Sequence, residues 1–284
     1  MRWLVQFGYD GGGFSGWARQ PGLRTVEGEV RAGLVRQGIA KSVSLARLEV
    51  ASRTDRGVSA RANALAVFSE RTGDALLRGL NGTAPDIFCT AAAPISEEFR
   101  LRAALRRVYR YYEPAPPSAV ARWQRVAQWF GGPIDVRSFG RGLPGDRPLI
   151  RTVESVEVRE VPGGLVVELR APSFVWGMVR KIIGAIRECD QGRLPESRLR
   201  AAVEGRERLT LPLAEPERLI LWEVEYPVVW TVRWSGPNRH QSQWERSAHD
   251  TLWVRQRLFD GFASMHRVSP DRETAFPESM RDER

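Results

Sequence analysis

The chain has 284 residues, is 42% hydrophobic and carries a formal net charge of +9. That length suits two compact domains or one large one, and that apolar content is enough for a real core. The basic excess points to a polyanionic partner, nucleic acid before any other; Lys41 and Lys181 are the only lysines, so an arginine-rich composition also contributes.

The two cysteines, Cys89 and Cys189, lie far apart. They offer neither a disulfide framework nor a four-cysteine zinc site. His240, His249 and His266 cluster near the C-terminus without metal-ligand spacing, so no metal and no other cofactor is expected. No apolar run approaches the roughly 20 residues that cross a bilayer, and the N-terminus lacks the apolar stretch of a signal peptide. The expectation is a soluble cytoplasmic protein with no membrane partner.

In chain order, residues 2–9 read as a strand, followed by a glycine-rich loop, YDGGGFSGW. Thr25 is a plausible N-cap for a helix with Val26, Val30 and Leu34 spaced by four on one face. Strands are expected at 43–51, 63–69, 86–92 and around 107–113, with a turn at 52–60 and a short helix at 74–80. The PAPP run at 114–117 resists helix and marks a boundary. Beyond it come a helix at 118–130, strands at 149–161 and 164–171 around a Pro162-Gly163-Gly164 turn, helices at 174–189 and 196–204, and a strand at 218–226. Each half has the split βαβ order of an antiparallel sheet with helices on one face. Residues 228–284 differ: Trp230, Trp234, Trp244 and Trp253 lie among arginines, 248–266 could form a helix, and the last residues are polar.

Four segments could carry chemistry. Gly11, Gly13 and Gly16 formally spell G-x-G-x-x-G, but a dinucleotide site needs a helix to open at those glycines. Here the helix comes later, so a tight turn is the better reading. In Ser52-Arg53-Thr54-Asp55-Arg56-Gly57-Val58, Asp55 sits between two arginines in a turn that Gly57 can close. Neighbouring positive charge favours the ionised carboxylate that a nucleophile requires. An ordinary turn with exposed arginines would look the same. In Arg107-Val108-Tyr109-Arg110-Tyr111-Tyr112, alternation places Tyr109 and Tyr111 on one face, either to stack on bases or to fill a core. In Phe174 to Ile186, Arg180 and Lys181 interrupt an apolar helix. They are either surface cations or, for a buried arginine, one half of an ion pair, because an unpaired buried charge is very costly.

Taken together and in this order, these segments resemble the tRNA pseudouridine synthase A family and its archaeal and eukaryotic relatives. YDGGGFSGW with TVEGEV, SRTDRGVSA, LNGTAPDI before FRLRAALRRVYRYY, FVWGMVRKIIG and RLILWEVEYP carry the likeness over roughly residues 1–227. Ser59 stands where the family often has histidine, a variant associated with the archaeal and eukaryotic branch. Phe99-Arg100-Leu101-Arg102 departs from the family's F-H-A-R.

The resemblance implies an α+β fold: two ferredoxin/RRM-like units joined into one extended, mainly antiparallel sheet, with helices on one face and an RNA-binding cleft on the other. Residues 1–108 would form an N-terminal domain carrying the catalytic loop, 109–227 a C-terminal domain, and 228–284 an extension. The implied activity is isomerisation of uridine to pseudouridine in tRNA, in the anticodon stem-loop at positions 38–40, by base flipping. The alternative is a non-catalytic RNA-binding module or tRNA chaperone. Asp55 would be the nucleophile, Tyr109 would pack against the target base, and Arg180 would pair with Asp55. Arg53 would enter the space vacated by the flipped uridine and Leu219 would wall the base pocket; Arg56, Phe174 and Lys181 complete the expected substrate-binding set. The expected partner is tRNA. The chain would be a homodimer, as bacterial members are, or a monomer, as in other branches.

Overall fold

Side-chain alternation fixes the two sides of the molecule from the first strand. In β1 (Arg2–Tyr9), Trp3, Val5, Phe7 and Tyr9 enter the main core, while Leu4 packs on the reverse side. The computed structural model describes residues 1–143, 148–235, 258, 260 and 261. After β1 come α1 (Val26–Arg36), α2 (Val43–Ala46), β2 (Glu49–Val50), β3 (Ser59–Phe68), α3 (Gly73–Asn81), β4 (Ile87–Ile95) and β5 (Arg106–Glu113). Then follow α4 (Val120–Ala127), β6 (Gly132–Asp135), β7 (Ile150–Val153), β8 (Ser155–Val161), β9 (Gly164–Ala171), α5 (Met178–Asp190), α6 (Glu196–Val203), β10 (Leu219–Glu225) and β11 (Val232–Arg233).

One sheet runs β11-β4-β1-β3-β10-β5-β9-β8, with β2 paired to β3 off this path; β6 and β7 form a separate pair. The fold is therefore α+β around an extended, mainly antiparallel sheet. Its exception is the seam where β10 lies parallel to β3, with Ile220 opposite Ser59 and Leu221 opposite Ala60. On its other edge β10 pairs antiparallel with β5, so Leu221 faces Tyr109 and Leu219 faces Tyr111. A strand from late in the chain thus places the end of the 52–58 turn two strands away from Tyr109.

The helices share one face. Val26, Val30 and Leu34 of α1, Leu76, Leu77 and Leu80 of α3, Trp123 of α4, Ile182, Ile183 and Ile186 of α5 and Leu199 of α6 all bury into the same core as Tyr109, Tyr111 and Leu221. Each such side chain contributes about 1.5–3 kcal/mol over exposure. Thr25 caps α1 as expected, its hydroxyl accepting from the Gly28 amide, which is worth about 1 kcal/mol. The reverse face holds smaller clusters: Phe88, Tyr112, Val166, Ile220 and Leu258 in one, Leu4, Ala64, Ala66 and Leu101 in another.

Two expectations about elements change. The strand expected at 43–51 is a short helix followed by two strand residues, because the Ser42 hydroxyl accepts from the Leu45 amide and Arg47 takes a left-handed turn, φ 43°, that ends the helix. The helix expected from 174 begins only at Met178; Gly177, at φ 78°, turns the chain into it. Of the helix expected over 248–266, only Leu258, Asp260 and Gly261 are among the described residues, and they are helical.

Candidate active site

The glycine-rich loop is a seat for the 52–58 turn. The Gly11 amide donates to the Ser59 hydroxyl at 3.0 Å, the Trp17 amide to the Thr54 carbonyl at 3.0 Å, and the Tyr9 and Thr54 hydroxyls share a hydrogen bond of 2.8 Å. A Cβ on Gly11 would stand 2.3 Å from the Val58 carbonyl oxygen, so only glycine lets the two loops meet. The turn closes through the Val58 amide on the Asp55 carbonyl, with Gly57 at φ 83°. Its geometry leaves the Asp55 carboxylate projecting from the tip, flanked by exposed Arg53 and Arg56.

Both oxygens of that carboxylate are engaged from the start of α5. Arg180 Nη1 donates to Oδ2 at 2.7 Å, and Trp176 Nε1 donates to Oδ1 at 2.8 Å. Arg180 is itself fixed: its Nε donates to the Ala214 carbonyl at 2.7 Å, and the Ala214 amide returns a bond to the Arg180 carbonyl. The Asp55 and Arg180 side chains are 23% and 13% exposed, so the pair is shielded yet reachable from the cleft.

That cleft has a volume of about 1280 Å³. Asp55, Arg53, Arg56, Tyr109, Phe174, Arg180 and Leu219 all line it. Tyr109 meets Phe174 edge to face, with centroids 5.2 Å apart. Burial pushes the Tyr109 hydroxyl up to about 12, against the opposing pull of Arg107 and a hydrogen bond with Ser52. The phenol is therefore neutral near pH 7 and serves as a packing surface and hydrogen-bonding group. Tyr111, its neighbour on the same face, is core: it donates to Glu215 and accepts from Arg187.

Two expectations need correction. The cleft does not open on the face away from the helices. Tyr109 and Leu219 point to the helix-bearing side, and the cleft lies there between the beginnings of α1 (Glu27, Arg31) and α5 (Met178, Val179, Arg180). Lys181 is not in its wall. Successive helical residues diverge by about 100°, so directing Arg180 into the cleft turns Lys181 away. The Lys181 ammonium donates to the Ser138 and Gly140 carbonyls, and burial lowers its pKa.

Sequence reasoning missed three residues. Trp176 contacts Asp55 directly. Arg107, only 8% exposed, donates to the Ser52 hydroxyl and to the Pro172 and Ala51 carbonyls behind Tyr109. Arg141 stacks on the Trp176 ring, its Cζ 4.2 Å from the centroid. The tryptophan lies within the FVWGMVRKIIG segment, but no spacing rule signals an indole that donates to an acid more than a hundred residues earlier.

Residues 126–227 match the family model described as tRNA pseudouridine synthase. The tRNA pseudouridine synthase A of Thermococcus kodakarensis is 39% identical over 80% of this chain and 85% of its own. That of Methanocorpusculum labreanum is 35% identical over 87% of this chain and 86% of its own. Among solved structures, a Cbf5-Nop10-Gar1 complex aligns over 64% of this chain and 52% of that chain at 16% identity, with a TM-score of 0.31, too slight a likeness to bear on the site.

Proposed function

Starting from a chain that belongs to the tRNA pseudouridine synthase family, and so is an isomerase of tRNA uridine, we propose that Asp55 is its nucleophile and the anticodon stem-loop its target. The observation that carries the reading is the shielded Asp55–Arg180 pair at the tip of a turn in a deep, arginine-lined cleft. A guanidinium at 2.7 Å holds the carboxylate still before reaction.

The reaction breaks the uridine C1′–N1 bond and makes a C1′–C5 bond, so nothing is gained or lost overall. A stacked base cannot be turned over, so the nucleotide must first swing out of its helix. One carboxylate suffices for the covalent step, whether it attacks the sugar at C1′ or the base at C6. Its bond to C1′ breaks as C5 bonds there, or its bond to C6 breaks once that C5–C1′ bond has formed; in either case the C5 proton leaves and N1 takes up a proton from solvent. Tyr109 and Leu219 form the walls against which the uracil lies. Arg53 fills the place the nucleotide leaves, while Arg56, Arg102 and Arg31 meet phosphates along the cleft, making binding strongly salt-dependent. Phe174 supports Tyr109 from behind. The chain acts in the cytoplasm, where tRNA is, and among the described residues no helix is long and apolar enough to cross a membrane. Assembly as a homodimer is a companion proposal, measured by light scattering of the purified protein.

The test is to incubate the full chain with transcript tRNA and map pseudouridine by sequence position. Modification confined to the anticodon stem-loop is expected. Modification elsewhere would overturn the target, and binding without turnover would favour the non-catalytic RNA-binding alternative.

A further inference from the structure

Asp55 is held by two donors, and only one belongs to an ion pair. The second, Trp176 Nε1, reaches Oδ1 at 2.8 Å. The two donors sit four residues apart at the entry to α5, on either side of Gly177, whose φ of 78° turns the chain so that both side chains reach the same carboxylate. We propose that Trp176 is a positioning residue for the isomerisation: its indole N–H fixes the rotation of the Asp55 carboxylate and so the direction from which the acid meets the flipped uridine. This inference rests on Asp55 being the nucleophile.

The surroundings of the ring fit that task. A single guanidinium contact leaves a carboxylate free to swing about its last bond; a second N–H on the other oxygen removes that freedom. Trp176 is 56% exposed, too open to be there for core packing. It is nevertheless held in place. Arg141 stacks on the ring, and the Arg141 amide donates to the Trp176 carbonyl at 2.8 Å. A Cβ on Gly177 would stand 3.0 Å from both Cγ and Cδ of Arg141, so the tight join of the two segments also depends on that glycine. An exposed tryptophan clamped through both backbone and ring, with its one polar atom on the nucleophile, is placed for that atom.

The test compares Trp176→Phe, which keeps a ring under Arg141 but has no N–H, with Trp176→His, which keeps an N–H donor. Single-turnover and steady-state rates on tRNA are measured for both, alongside Asp55→Asn, tRNA affinity and thermal unfolding. A hydrogen bond to a charged group is worth about tenfold or more in rate when it is lost at the barrier. Trp176→Phe is expected to lower kcat by about tenfold or more, with KM, tRNA affinity and Tm close to those of the parent, and Trp176→His to recover part of that loss. Parental kcat in Trp176→Phe would overturn the proposal. So would a change confined to KM, which would make the ring a contact for RNA, or an equal loss in the two variants, which would credit ring shape. Substantial activity in Asp55→Asn would instead reject the nucleophile assignment on which the inference rests.

Discussion

Residues near the cleft owe their states to neighbours far away in sequence. Arg180 contacts Asp55 at one end of its guanidinium and the Ala214 carbonyl at the other, so the segment before β10 helps aim the acid. One residue on, Glu215 accepts from Arg187 and from Tyr111. Burial opposes its ionisation, but those donors outweigh it and hold the carboxyl at about 2, below its ordinary 4.5. A carboxyl depressed in the folded state stabilises fully above its unfolded value, and the contribution fades as pH falls through the folded one. The stability difference between the parent and Glu215→Gln should therefore be constant above about pH 4.5 and shrink from there towards pH 2. Denaturant melts across that range measure it, and a difference that grows on acidification would contradict the assignment.

At the scale of elements, what could be read in advance was local. Alternation in β5 sorted Tyr109 and Tyr111 from Arg110 and Tyr112 correctly. Spacing by four found the buried face of α1, and the Pro162-Gly163 turn found the β8–β9 hairpin. What could not be read depends on through-space neighbours. Nothing within residues 43–51 reveals that Ser42 will cap a helix there. Nothing around 174–177 shows that Arg141 will tie this segment down before α5 begins. The resemblance supplied the pairing of Asp55 with Arg180, which spacing alone could not. It did not supply Trp176, and the expectation that Lys181 binds substrate fails because its own helix turns it away from the cleft. Gly177 is the hinge of this region. Gly177→Ala would put an L-residue into a left-handed conformation, at about 1–2 kcal/mol, and press on Arg141. Such a variant should lose about that much stability and more turnover than tRNA affinity; unchanged turnover would show that the entry to α5 does not set the site.

On the scale of the molecule, the two half-sheets join through a two-residue parallel contact between β3 and β10, directly behind the turn that carries Asp55. The C-terminal extension contributes to its reverse side. Leu258 is fully buried against Phe88, Tyr112, Val166 and Ile220, residues of strands on both sides of that seam. The Gly261 carbonyl accepts from Arg61 of β3, and Arg61 and Arg110 both stack on Trp222. Gly261 must itself be small, since a Cβ there would come within 2.8 Å of the Trp222 ring. Leu258 and Gly261 thus pack across the two half-sheets. Leu258→Ala should cost about 2–5 kcal/mol and lower Tm by several degrees, while leaving turnover intact at temperatures where the fold persists. A Tm equal to the parent's would show that the extension does not brace the seam.

The proposed function rests on the Asp55 carboxylate in its cleft. The most direct measurement is pseudouridine formed per enzyme in a single turnover on tRNA by Asp55→Asn, with tRNA affinity recorded in parallel. The account predicts near-parental binding and no detectable product. Product formed at a rate within about tenfold of the parent would mean that another group attacks the uridine.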